Sequence, residues 1–285
     1  MQTLDFFTPI VDDPFTFGRI AAANALSDLY AMGAVPITAL NIFCRPADVL
    51  DAEDAAAVLK GGIDALREAD CLLLGGHTVD DEELKYGLAV TGLATRETLW
   101  TTEGALAEDA IVLTKPIGTG LLSTAIKAGE AEKEWVEAAT VSMSALNRGA
   151  AEAARNFRVH ACTDVTGFGL VGHLANIALA SGVTVHIDVR SVPLLPGALH
   201  ACSEGLAPVG LHRNRAHYAC RVSVSEGLDP ILVDLMFDPQ TSGGLALVVH
   251  PDDVDGLLEA LGEAGVAAAR VATCSSRVDA HVILR

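Results

Sequence analysis

The stretch Asp5–Gly33, DFFTPIVDDPFTFGRIAAANALSDLYAMG, decides how the chain is read, because it places acidic and amide side chains where an ordinary core segment would have none. Asp5 lies in a short apolar run, Leu4 to Val11, that reads as a strand. From Pro14 to Met32 the spacing is helical. Ile20, Ala23, Leu26, Leu29, Tyr30 and Met32 are spread round most of the circumference, and Gly33 supplies a C-terminal stop. A helix apolar on nearly every side is a buried helix. Asn24 and Asp28 nevertheless stand four residues apart, one above the other on a single stripe. A buried carboxylate that nothing meets is costly, so Asp28 requires a cation, an arginine or a row of hydrogen-bond donors.

The composition narrows the class. With 285 residues, 51% hydrophobic and 20% charged, the chain is globular and long enough for one large or two ordinary domains. A formal net charge of -18 argues against non-specific binding to nucleic acid. It also means that an anionic ligand must be met by local donors or through a bridging divalent cation. Cys44, Cys71, Cys162, Cys202, Cys220 and Cys274 are scattered without a CxxC pair, which suggests neither a zinc knuckle nor a disulfide framework and fits a reducing cytosol. No basic leader followed by an apolar stretch is read at MQTLDFF, and no run approaches about 18 apolar residues, so neither a signal peptide nor a membrane span is expected.

Past Gly33, Val35 to Arg45 reads as a strand and Asp51 to Asp70 as an amphipathic helix carrying Ala55, Leu59, Ile63 and Leu66. Cys71 to Leu74 reads as a buried strand ending in Gly75 and Gly76, and Leu84 to Thr95 as another strand. The pattern weakens between Arg96 and Asp109, where a domain boundary is placed. Beyond it come a strand at Ile111–Thr114, a helical region from about Glu132 to Asn156 that Gly149 could break, and strands at His160–Thr163 and Val183–Val189. Val192 to Gly210 reads as irregular, Leu228 to Met236 as helical, Asp252 to Ala264 as a helix, and Ala267–Ala272 and Ala280–Leu284 as closing strands.

Several motifs have two readings each. DVTGFG, Asp164 to Gly169, sets an acid at a strand end and glycines at the opening of a helix, where backbone N–H groups and the helix dipole favour an anion; equally, Asp164 is a capping residue in an ordinary loop. KPIGTG, Lys115 to Gly120, carries the same ambiguity and is not a Walker A loop, since no GK[ST] follows. GGHT, Gly75 to Thr78, is a flexible backbone with an imidazole and a hydroxyl, or a tight turn with a surface histidine. DPQTSGG, Asp238 to Gly244, is a turn before a strand. His173 is a satisfied core histidine or a contact to the site of Asp164. Cys44 and Cys71 read as inert buried thiols, and Asp80 to Glu83 as a solvated loop. Taken together, Asp5, Asp28 and Asp164 come from three separate elements beside glycine-rich backbone, the usual make-up of a magnesium and polyphosphate site. Two carboxylates about 4 Å apart at an effective dielectric near 20 repel by roughly 4 kcal/mol, and a divalent cation reverses the sign.

DFFTPIVDDPFTFGRIAAANALSDLYAMG, GGHTVDD, GLAVTG, TKPIGTG, TDVTGFGLVGH and FDPQTSGG, in this order over almost the whole chain, closely resemble the selenide, water dikinase (selenophosphate synthetase) family. The resemblance implies an α+β fold of mixed layers, with the two domains of the aminoimidazole-ribonucleotide synthetase type. Residues 1–100 would form an N-terminal ATP- and metal-binding domain that pairs with a second copy into a dimeric β-barrel, its first strands missing, and 107–285 a C-terminal α/β domain. It implies an ATP-dependent phosphotransferase that turns ATP, selenide and water into selenophosphate, AMP and phosphate with magnesium in the cytoplasm. Asp28 and Asp164 match magnesium-binding positions; Asp5, Asp28, Gly76, His77 and Thr78 match ATP-binding ones. The departure is at the front, because the family's glycine-rich segment with its reactive cysteine or selenocysteine and lysine would precede Met1, which leaves no catalytic residue of that kind in this chain. A truncated, weakly active or inactive form is therefore expected. A non-catalytic ATP-binding homodimer and a sister enzyme of the same ATP-dependent superfamily are the alternatives.

Overall fold

Along Gln2–Phe7 (β1) exposure alternates residue by residue, with Gln2, Leu4 and Phe6 turned to one side of a sheet and Thr3, Asp5 and Phe7 to the other. The structure is a computed structural model describing residues 1–46, 48 and 50–285. These divide into two units, Met1–Leu99 with Met143–Arg148, and Trp100–Ser142 with Gly149–Arg285.

In the first unit, β1 is followed by α1 (Pro14–Ala31), β2 (Val35–Arg45), α2 (Ala52–Glu68), β3 (Leu72–Asp80) and β4 (Lys85–Leu93). Asp13 caps α1 by accepting from the Thr16 N–H at 2.7 Å, and Pro14 takes the first turn, where its missing N–H costs nothing. Asp51 caps α2 through the N–H groups of Glu53 and Asp54. The sheet order is β1-β4-β2-β3, antiparallel except for the parallel β2/β3 pair. Helix α1 lies against β1, β4 and β2, with α2 beside it reaching β3. The two helices meet backbone to backbone: a methyl on Gly18 would stand 1.9 Å from the Val58 carbonyl oxygen, and one on Gly61 1.9 Å from that of Phe15. Arg19 of α1 pairs with Asp64 and Glu68 of α2. Beneath them Phe17 and Phe43 set their rings edge-on to the buried Tyr86, whose hydroxyl donates to Asn41 Oδ1 at 2.8 Å.

The first strand stops at Phe7 rather than running to Val11, since its pairing with β4 ends at Tyr86 and Pro9 has no N–H to extend the ladder. The expected buried strand ending at Gly75 and Gly76 is a longer edge strand that passes through both. Between Leu73 and Gly76 it advances one residue more than β2 does between Ala39 and Asn41, forming a bulge with Gly75 at φ 135 and Gly76 at φ 151. A side chain on Gly76 would begin 2.3 Å from the Asn41 carbonyl oxygen. Leu72 and Leu74 are 65% and 66% exposed, because they face away from the helices. With Leu4, Phe6, Leu40 and Leu93 they make an apolar sheet face that no described residue covers.

The second unit contains β5 (Ala110–Leu113), α3 (Thr119–Ala128), α4 (Lys133–Ser144), α5 (Arg148–Ala154), β6 (Val159–Asp164), α6 (Gly169–Ser181), β7 (Val183–Ile187), α7 (Ala198–Ser203), α8 (Val209–Tyr218), β8 (Val222–Val224), α9 (Pro230–Leu235), β9 (Leu245–Val249), α10 (Val254–Glu263), β10 (Ala269–Ser276) and β11 (Val282–Leu284), α4 and α5 each having an end in the first. Its sheet runs β6-β9-β5-β10-β7-β11-β8, antiparallel as far as β7 and parallel beyond, and β5 and β9 are wholly buried. The helical region expected from Glu132 to Asn156 is broken before Gly149, at residues 145–147, where Asn147 turns its amide to Ser27 Oγ at 2.9 Å. The stretch expected to be irregular contains α7 and the start of α8. No helix among the described residues is long and apolar enough to cross a membrane.

The helix contact is tight enough to test. Gly61→Ala is expected to lower stability by about 3 kcal/mol in denaturant unfolding, because the added methyl must push two backbones apart. Gly149→Ala, whose methyl would meet its nearest atom at 3.6 Å, is expected to be neutral or slightly stabilising in the same assay.

Candidate functional site: paired carboxylates under a sheet and a strand-end aspartate

Residues two apart on β1 rise about 6.8 Å and residues four apart on α1 about 6 Å, so the strand and the helix can match side chains rung by rung. They do so twice. Asn24 Nδ2 donates to Asp5 Oδ2, and Thr3 Oγ1 donates to Asp28 Oδ2. Both carboxylates are partly buried, and neither has an ion-pair partner among the described residues. Burial, and after it the charge of Asp28, hold the Asp5 carboxyl above its usual range, against the opposing hydrogen bond from Asn24. The arrangement is two neighbouring acids met only by neutral donors, with oxygen as the only ligand atom they offer. That donor set suits a hard divalent cation. Among the described residues no three His, Cys, Asp or Glu side chains gather as a complete metal cage, so a cation here would draw its remaining ligands from water or phosphate.

Gly76, His77 and Thr78 lie exposed on β3. Gly76 shares a rung with Asp5 through Asn41 and Leu88, which puts the two backbones three strand spacings, about 14 Å, apart. The fold thus brings Asp5 and Asp28 together and holds the glycine-histidine-threonine stretch at the far edge of the same sheet. Asp164, in the second unit, ends β6 and is buried.

The loops around Asp164 resolve two of the double readings made from sequence, those of KPIGTG and His173. At the start of α3, Gln240 Oε1 accepts from the Gly118 and Thr119 N–H groups at 2.9 and 3.1 Å, and Asp238 Oδ2 accepts from Gly120 N–H at 3.1 Å and Gln240 Nε2 at 2.8 Å. The donors of KPIGTG are therefore consumed by DPQTSGG, and this helix N-terminus is closed from within. Burial pushes the Asp238 carboxyl up to about 7. His173 is the satisfied core histidine. Its Nε2 accepts the Thr166 N–H at 3.0 Å, and Nδ1 lies 3.3 Å from Thr163 Oγ1, whose own proton goes to the Asp164 carbonyl. Those roles assign the proton to Nδ1. Burial pulls His173 down to about 4, so the ring is neutral and pins the loop that follows Asp164. Lys115 is buried as well, its pKa drawn down to about 7 by burial while the charge of Asp164 acts the other way.

Sequence reasoning missed Thr3, although alternation with Asp5 marks it as facing the helix. It also missed Gln240 and Asp238 as caps, since no local pattern announces a partner about 120 residues away.

Comparison with known proteins agrees with this architecture. Family models described as AIR synthase related protein, N-terminal domain and C-terminal domain, match residues 1–94 and 107–284. The selenide, water dikinase of Nitratidesulfovibrio vulgaris (strain DSM 19637 / Miyazaki F) is 52% identical over 273 residues, covering 93% of this chain and 76% of that protein. The chain belongs to the selenide, water dikinase family. Among solved structures, thiamine-monophosphate kinase from Stenotrophomonas maltophilia K279a superposes with a TM-score of 0.77 at 20% identity, over 99% of this chain and 84% of that one. E. coli HypE does so with a TM-score of 0.77 at 20% identity, over 100% and 82%. The α+β fold of the family is thus shared with proteins of quite different sequence.

His173 and Asp238 pull stability in opposite directions with pH. His173 is depressed when folded, so its contribution is full above about 6.5 and is lost as pH falls through about 4. Asp238 is raised when folded, so its contribution is full below about 4 and is lost as pH rises through about 7. Each is on the order of 3 to 4 kcal/mol. Denaturant unfolding between pH 4.5 and 7 is expected to show Asp238→Asn becoming acid-sensitive relative to the parent chain, and His173→Asn gaining relative stability as pH falls.

Proposed function

We propose that the chain performs the family's reaction, in which ATP, selenide and water give selenophosphate, AMP and phosphate, and that it does so with magnesium. The observation that carries this reading is the Asp5–Asp28 pair: two adjacent carboxylates, met only by neutral donors, at positions where the family resemblance implies nucleotide and metal. Asp28 and Asp164 would hold magnesium, and Asp5, Asp28, Gly76, His77 and Thr78 would contact ATP. Bound there, magnesium supplies the positive charge that a chain of net charge -18 lacks, offsetting the negative charge of the transferred phosphoryl groups. The protein's own part is orientation. Thr3 holds one oxygen of Asp28 and Asn24 one oxygen of Asp5, which fixes how the two carboxylates are turned. The bulge at Gly75 and Gly76 brings bare backbone to the edge of β3, where a nucleotide can approach closely.

The uncovered apolar face of the first sheet supports a homodimer in which that face meets its copy. All six cysteines are free thiols, and we place the protein in a reducing cytoplasm.

A second reading, a nucleotide-binding dimer without turnover of its own, is favoured by the state of the thiols. Burial pushes Cys71 and Cys202 up to about 11 and Cys274 to about 12, and holds Cys162 well above the usual range, so none of these offers a thiolate. Calorimetry of ATP with and without magnesium, beside an assay of selenide-dependent AMP formation, separates the two. Magnesium-dependent binding is expected; turnover alongside it would select the first reading, and binding without turnover the second.

Asp28→Asn is expected to weaken magnesium-dependent ATP binding by about tenfold or more while leaving the unfolding midpoint unchanged or raised, since it removes a ligand and also relieves repulsion with Asp5. Unchanged affinity at saturating magnesium would count against the metal role. For the dimer, Leu40→Glu with Leu74→Glu is expected to convert the species seen in sedimentation equilibrium from dimer to monomer.

A further inference from the structure

β5 and β6 flank β9 on either side, and both end where β9 begins. Asp164 pairs with Leu245, whose carbonyl accepts the Thr114 N–H at 3.0 Å and whose own N–H goes to Thr114 Oγ1 at 2.8 Å. The Gly243–Gly244 doublet permits this crowding. A methyl on Gly243 would stand 2.0 Å from the Val165 carbonyl oxygen, and one on Gly244 2.4 Å from the Lys115 nitrogen. One residue earlier, Ser242 takes φ 49, the left-handed region that side-chain-bearing residues avoid and that recurs where surrounding structure enforces it at working sites. The carbonyl of Ser242 accepts from Lys115 Nζ at 2.8 Å. Lys115 and Asp164 are each only 7% exposed, and their charges interact.

A buried ammonium beside a buried carboxylate is a poor way to gain stability, since apolar residues of the same volume do as well or better. The same groups are well suited to keep a strand-end carboxylate charged and aimed. We propose that Lys115 is a positioning residue, its ammonium holding the enforced Ser242 turn and countering the charge of Asp164 so that this carboxylate is fixed for a divalent cation. The proposal rests on the reading of Asp164 as a magnesium ligand.

Two other roles for Lys115 make different predictions. A lysine that merely braces the fold changes stability and nothing else. A bystander charge next to a metal ligand repels the cation, so its removal tightens metal binding.

The test uses the full chain with a saturating non-hydrolysable ATP analogue and follows free Mn2+ by electron paramagnetic resonance, with denaturant unfolding run in parallel. Lys115→Met is expected to weaken Mn2+ binding by about tenfold or more, as loss of an outer partner of a metal ligand does. Asp164→Asn is expected to weaken it too, and the double variant no further than Asp164→Asn alone, because one residue acts through the other. Lys115→Gln, which keeps a donor for the Ser242 carbonyl without the charge, is expected to fall between Lys115→Met and the parent chain. Unchanged or tighter Mn2+ binding in Lys115→Met, with Asp164→Asn weakened, would overturn the proposal. Should Lys115→Met not fold, Lys115→Gln decides in the same way, and failure of both to fold would make Lys115 a brace and likewise overturn it. Unchanged binding in Asp164→Asn would instead remove the metal reading on which the proposal stands.

Discussion

Taking an ionisable group out of water is unfavourable unless something meets it, and this chain buries such groups where a purely structural protein would place leucine. Each is met differently. Asp238 receives amide and backbone donors, and burial brings it to about neutral pH. His173 is kept neutral between two threonines. Lys115 has a carbonyl and the charge of Asp164. Asp5 and Asp28 are the least compensated, with neutral donors alone, Asn24 and the Phe6 backbone for Asp5 and Thr3 for Asp28, and each other's charge. The contrast separates groups whose needs are met within the fold from a pair left ready for something brought from outside.

Much of the first unit was legible because its patterns are local. Helix α1 and strand β2 follow from residue spacing, Gly33 and the apolar run after it, and Asn24 and Asp28 share a stripe simply because they stand four apart. The glycine doublet of β3 was misread as a strand end. Period-2 alternation breaks at a bulge, and nothing in the sequence distinguishes a break from a stop when both are made of glycine. Leu72 and Leu74 were misplaced for a related reason: an apolar residue on an uncovered sheet face looks the same in sequence as one in a core.

The second unit was less legible, because its decisive contacts join distant segments. KPIGTG and DVTGFG each look like an anion cradle in isolation. Only the fold shows that Gln240 and Asp238 have filled the first and that His173 has stiffened the second. Six short blocks in order identify a lineage even when each block alone admits a structural explanation.

The alternation of β1 has a consequence for how such a chain can change over time. Thr3 and Asp5 serve the carboxylate pair, while Leu4 and Phe6, interleaved with them, belong to the open apolar face. Inserting or deleting one residue would turn every side chain over, bringing leucine to the acids and aspartate to the apolar surface at once. The strand can therefore drift by substitution on either face separately, yet it cannot change length by a single residue without losing both. Its six positions are a reading frame written in geometry.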